Sequence, residues 1–184
     1  MENVAVKLPL DPVKIRTLNA GDTVLLTGSL YTARDAAHKR LVEALDRGET
    51  LPFDLTNQLI YYVGPAPAKP GYAVGSAGPT TSYRMDAYAP RLLEQGLMGM
   101  MGKGNRSRPV IEAMVRAGAV YLGAVGGAAA LIAKRIVKSE VIAYDDLGAE
   151  AIHRFEVKDF PALVLIDSRG NNLYETGPAK YRMD

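Results

Sequence analysis

Apolar positions along this chain fall into two alternating rhythms. Short runs of β-branched and large apolar residues, closed by glycine or polar turns, predict buried strands, and stripes at three- and four-residue spacing between them predict helices. Residues 4–10 read as an entry strand, followed by a turn at Asp11-Pro12, a short segment over 13–18 and a polar turn over 19–22. Residues 23–30 form a compact run that Gly28 and Ser29 close. Next, Thr32-Ala-Arg-Asp35 has the form of a capping box, and Ala33, Ala37, Leu41, Ala44 and Leu45 give a helical stripe ending at Gly48. Residues 59–63, 97–101 and 119–125 predict three further strands. Ser107 and Pro109 open a helix with Val110, Ala113, Met114 and Ala117 on its apolar face. Gly126-Gly127 leads into a small-residue helix over 128–134, and 136–144 is strand-like.

Strand and helix in repeated alternation predict an α/β architecture with parallel pairing. The tail differs. Residues 151–157 alternate, 160–167 are apolar, and Ser168-Arg-Gly-Asn171 turns into 172–175, which predicts a terminal hairpin and therefore a mixed, partly parallel sheet system.

One stretch has more punctuation than a connection needs. Gly78-Pro79 breaks regular structure, and Thr80, Thr81 and Ser82 place three hydroxyls where a helix running through Leu92-Leu93 needs its cap. Arg84 then falls in the first turn, where the helix dipole favours an anion. Arg34 repeats the situation after the strand over 23–30, and Lys103 follows the strand over 97–101. A bound anion resolves the conflict, because ligand crevices in open α/β sheets lie beyond the carboxyl ends of the strands. Two guanidinium groups and an ammonium suit a small acid with more than one carboxylate. A solvated surface position explains each cation singly, and sequence physics alone favours capping as the role of Thr80 and Thr81. Tyr31, Asp35 and Asp86 are candidates for holding the arginines in place. His38, one turn beyond Arg34, reads as a packing residue, and His153 as structural or exposed.

Composition narrows the classes. The 184 residues are expected to form one domain over 1–184, and 22 basic against 20 acidic residues, spread along the chain, do not suggest nucleic acid. Without cysteine the chain offers no thiolate to a metal, and two distant histidines do not suggest a site. Gly99-Met-Met-Gly102-Lys103-Gly104 lacks the hydroxyl that follows a P-loop lysine, and Gly123-Ala-Val-Gly126-Gly127 is not a dinucleotide fingerprint. Met1-Glu-Asn-Val-Ala-Val-Lys7 has no cationic region followed by a long apolar one, so a cytoplasmic location is expected.

Gly78-Pro-Thr-Thr-Ser-Tyr-Arg-Met-Asp86, with Ala33-Arg-Asp-Ala-Ala-His-Lys39 before it and Gly102-Lys-Gly-Asn105 after it, resembles the β subunit, or C-terminal domain, of class I fumarate hydratases and tartrate dehydratases. The likeness extends to Gly126-Gly-Ala-Ala-Ala130 and Glu156-Val-Lys-Asp-Phe-Pro161. It implies a swivelling β/β/α domain and a partner α subunit whose cysteines hold a 4Fe-4S cluster, with the open iron taking the substrate hydroxyl and a carboxylate. It further implies that Arg34, Arg84 and Lys103 bind substrate carboxylates, that Thr81 adds a hydrogen bond, and that Thr80 is the catalytic proton acceptor, relying on an aspartate of the α part. The expected activity is reversible hydration of fumarate to malate in a hetero-oligomer, with tartrate dehydration as the near alternative and a non-catalytic assembly module as a different class.

Overall fold

The computed structural model describes residues 2–124 and 129–179. The expected turn at Gly126-Gly127, with Val125 before it and Ala128 after it, lies outside the described residues. The strands are β1 (Val4–Lys7), β2 (Thr23–Thr32), β3 (Leu59–Tyr61), β4 (Gly99–Gly102), β5 (Val120–Ala124), β6 (Ile136–Ala143) and β7 (Ile152–Ile166). Helices are α1 (Pro12–Thr17), α2 (Asp35–Asp46), α3 (Ala89–Glu94), α4 (Arg108–Ala117), α5 (Ala129–Lys134) and α6 (Leu173–Ala179).

The strands lie in the order β1-β2-β3-β4-β5-β7-β6, with β2 also paired to β7. β1 through β5 are parallel, as the alternation predicted, and β7 runs antiparallel to β2, β5 and β6. Because β7 joins both β2 and β5, the strands β2-β3-β4-β5-β7 close into a small barrel-like sheet, which leaves no open edge within that ring.

Strand periodicity sorts the core into two. On β3, Leu59 and Tyr61 face one cluster and Ile60 the other; on β5, Val120 and Leu122 oppose Tyr121. One cluster fills the closed sheet with Ile15 of α1 and Ile132 of α5. The other packs against Leu41 of α2, Leu92 of α3 and Met114 of α4. Among the described residues no helix is long and apolar enough to cross a membrane.

Three local expectations are corrected. The terminal hairpin is reduced to one antiparallel bridge, Ile166 with Asn172, across the tight turn over 168–171: residues 152–166 form one fifteen-residue strand, β7, and the chain after Asn172 enters α6 instead of a second strand. The antiparallel hairpin of the tail is β6 with β7, across a short 3-10 segment, Asp145–Glu150. The long helix expected from Thr80 onward is a single 3-10 turn, Ser82–Met85, followed by the separate six-residue α3. The Thr32 capping box is absent. Thr32 remains in β2, its hydroxyl accepting the His153 amide at 3.0 Å, and Arg34 is the N-cap of α2 with no side-chain cap bond.

Candidate active site

Thr80, Thr81 and Lys103 meet in one piece of backbone. β3 and β4 stay side by side until the Tyr62 amide donates to the Met101 carbonyl at 2.8 Å, and segment 80–82 enters beyond that point. Thr80 N–H donates to the Tyr62 carbonyl at 2.7 Å, Lys103 N–H to the Thr80 carbonyl at 3.2 Å, and Ser82 N–H to the Lys103 carbonyl at 2.8 Å. Thr81 thereby pairs with Lys103 as a parallel bridge. Gly102 makes room for this crossing, since a Cβ there would land on Ser82 Oγ and 3.1 Å from the Thr80 carbonyl.

The arginines arrive from two sides. Arg84, in the 3-10 turn that follows Thr81, pairs through Nη2 with Oδ2 of Asp35, the first residue of α2. Arg34, the residue before, lies over Gly64 just past β3, where a Cβ would come within 3.0 Å of Nη1. Its Nε stands 3.9 Å from Glu150 Oε1, and neither buried atom has a hydrogen-bond partner among the described residues. Arg34, Thr80, Thr81, Arg84 and Lys103 are therefore gathered around the carboxyl ends of β2, β3 and β4. Thr80 and Thr81 are half-buried, Arg84 and Lys103 exposed, and Lys103 has no ion pair among the described residues.

The geometry changes two sequence arguments. Arg84 lies within a single 3-10 turn instead of starting an α-helix, so no dipole conflict arises there, and its charge is met by Asp35. Thr81 is the residue before that turn, yet its hydroxyl does not cap it. Of the three residues expected to hold the arginines, Asp35 holds Arg84 and Asp86 holds a different arginine, Arg106. Tyr31 holds neither; its ring stacks on Phe53 at 4.0 Å.

A family model described as fumarase C-terminus matches residues 1–177. The chain belongs to that family. It is 44% identical over 177 residues to the aerobic class I fumarate hydratase of Escherichia coli, covering 95% of this chain and 31% of that protein. Fumarate hydratase 2 of Leishmania major is 42% identical over 175 residues, again with 31% of its length covered. A Methanocaldococcus jannaschii chain provisionally named L(+)-tartrate dehydratase subunit beta is 38% identical over 167 residues, covering 88% of this chain and 86% of that one. This chain thus spans about a third of the fumarate hydratases it matches and most of the tartrate dehydratase subunit.

In this fumarase C-terminus chain the cations rest on a buried polar layer. The Arg106 side chain is wholly buried, its Nε donating to Asp86 Oδ1 at 2.7 Å and its Nη2 to the Tyr62 hydroxyl at 3.2 Å. Its guanidinium carbon lies 5.2 Å from the Tyr62 ring centroid and 4.9 Å from that of Tyr121. Asp86 Oδ2 also accepts the Ser107 amide at 2.8 Å, which ties the residue after the 3-10 turn to the start of α4. Ser82 and Tyr121 share a 2.7 Å hydrogen bond, and the Tyr121 hydroxyl donates to the Gly104 carbonyl. The 3-10 turn is thus fastened to β3, β5 and α4 at once.

Sequence reasoning missed Arg106, which stands in the sequence among other cations, Lys103 and Arg108, with nothing to set it apart. The available signal was Tyr62 and Tyr121: a tyrosine inside a buried strand requires a partner for its hydroxyl. His38 packs as expected. It is fully buried, its Nδ1 lies 2.8 Å from the Arg34 carbonyl, and burial lowers its pKa to about 4, helped by the Arg106 charge and opposed by that carbonyl bond.

Proposed function

We propose that this chain is the substrate-binding half of a hydro-lyase acting on a four-carbon dicarboxylate, with fumarate and malate as the preferred pair and an iron-sulfur α subunit as its partner. The observation that carries this reading is that Lys103 bridges Thr81, and Arg84 just after it pairs with Asp35, the residue next to Arg34, at the ends of three parallel strands. Family membership and the names of the relatives support the reaction class. We also read the closed sheet with its helical layer as the swivelling β/β/α domain, and the whole chain as one unit in the cytoplasm.

On this reading Arg34 and Arg84 receive substrate carboxylates bidentately, and Lys103 acts as a point charge beside them. Thr81 adds a hydrogen bond. Thr80 Oγ1 takes the proton from the carbon next to a carboxylate during dehydration and returns it during hydration. Negative charge spreads onto that carboxylate as the proton leaves, so cations fixed around it stabilise the transition state more than the ground state. A hydroxyl accepts a proton only when its own proton passes to a base, which the α part would provide. This chain has no cysteine, so its residues do not suit a 4Fe-4S cluster. In this reading the cluster and its Lewis acidity belong to the α subunit.

Coverage of 86% of the L(+)-tartrate dehydratase subunit favours a second substrate, tartrate, on the same residues. Anaerobic co-expression with the α-type chain, followed by assays of malate and both tartrate enantiomers, decides between them. Thr80→Val is expected to lower turnover by about 10²–10⁴-fold while substrate still binds, and Arg84→Ala to raise KM and lower kcat in a complex that still assembles. Unchanged kinetics in both variants, or an assembled complex inert toward all these acids, would overturn the assignment.

A further inference from the structure

Asp35 is the residue of this region whose placement the folding of its own helix does not require. The first turn of α2 favours negative charge, but Asp35 makes no cap bond there, and the capping box that would have used it is absent. Its carboxylate instead reaches Arg84, forty-nine residues away in sequence, through Oδ2, while its buried Oδ1 has no partner among the described residues. Nη2 is the only atom of the Arg84 guanidinium bonded among the described residues. Arg84 stands on a short 3-10 turn with its side chain 44% exposed. Without a tether so long a side chain samples many rotamers, and binding a carboxylate would have to suppress them.

We propose that Asp35 is the positioning residue for Arg84: it holds the guanidinium through one Nη2 hydrogen and leaves the other Nη2 hydrogen, with its neighbouring Nε–H or Nη1–H, as the two-donor edge for the incoming carboxylate. The inference rests on the reading of function above and adds a residue that touches no substrate atom. Two other meanings of the pair lead to different results. An incidental surface ion pair contributes little to either stability or binding. A carboxylate that competes with the substrate for Arg84 weakens binding, so its removal strengthens it.

The test uses the complex assembled with the iron-sulfur α subunit. Asp35→Asn is expected to raise KM for the dicarboxylate about tenfold with kcat changed no more than about threefold, and to leave the melting temperature of the complex within about 2 °C of the parent. Asp35→Glu is expected to recover a large part of the lost KM. A second measurement is independent of turnover. In the full chain labelled with ¹⁵N-arginine, with Arg84→Lys assigning the signal, the Arg84 Nη resonances are expected to be resolved in the parent and averaged in Asp35→Asn.

An unchanged or lowered KM in Asp35→Asn overturns the proposal, as does a large drop in melting temperature with kcat and kcat/KM falling together. Averaged Arg84 resonances in the parent overturn it as well. Absence of turnover in the unsubstituted complex sinks the functional reading instead, and the resonance measurement still decides whether Asp35 restrains Arg84.

Discussion

His38 shows how a single ring beneath the cations makes the fold sensitive to acid. Its Nδ1–H donates to the Arg34 carbonyl, which leaves a buried Nε2 with no partner among the described residues, and a second charge there would face that of Arg106. The folded chain therefore keeps the ring neutral down to about pH 4, against an ordinary value of 6.5. A base whose pKa falls on folding binds fewer protons when folded, so its contribution to stability is present above pH 6.5 and is lost as the pH falls toward 4. The size is roughly 3 kcal/mol between pH 7 and pH 4, from about two and a half units at 1.36 kcal/mol each. Urea unfolding at both pH values should show this loss in the parent and a smaller one in His38→Gln, beyond the part due to carboxylates common to both. Equal losses would mean that the ring is protonated while folded.

At the level of elements, the wedge formed by 80–82 and the 3-10 turn depends on glycine at position 102. A methyl group there meets Ser82 Oγ, the Thr80 carbonyl and, at 2.9 Å, Tyr62 Cδ2. Gly102→Ala is expected to destabilise the chain by about 1–3 kcal/mol, as overpacking of a filled site does, and to reduce activity further by displacing Thr80. Ser82→Ala removes the nearest obstacle, so the double substitution should lose less than the sum of the two singles; simple additivity would show that Gly102 does not control the wedge. The same elements show what sequence could and could not display. The runs behind β3, β4 and β5 were legible because both faces of these strands are buried and their apolar character is continuous. The Thr32 cap was not, because a distant amide, that of His153, claims the hydroxyl. Nor was β7, since Asp159 and Pro161 look like a break. Asp159 adopts φ 48, and Pro161 falls between Val157, the last residue paired with β6, and Ala162, the first paired with β5. There a missing amide interrupts no ladder on that edge. Of the site, the cations and threonines were legible as punctuation after strands. Arg106 was not, because burial of a cation depends on Asp86, Tyr62 and Tyr121 converging from three elements.

For the molecule as a whole, closure of the sheet and shape of the site are joined through one aromatic contact. Phe160 of β7 lies opposite Leu26 of β2 and packs edge-on against Tyr61 of β3, ring centroids 5.7 Å apart. The Tyr61 hydroxyl in turn donates to the buried Ala77 carbonyl at 2.6 Å, one residue before Gly78. The strand that closes the sheet therefore steadies the ring that anchors the threonine segment, and two substitutions separate the links. Phe160→Ala is expected to lower stability by about 3–5 kcal/mol through lost packing, and to speed amide exchange in β7 and at Thr80 alike. Tyr61→Phe keeps the ring and leaves the Ala77 carbonyl unpaired, at a cost of about 1–3 kcal/mol. Exchange at the Thr80 and Ser82 amides should rise about tenfold in that variant while the β7 amides are little affected, because the opening is local and does not involve the seam. Uniform acceleration in Tyr61→Phe would show instead that the wedge opens only when the whole sheet does, and that Tyr61 stabilises the fold without separately holding the site.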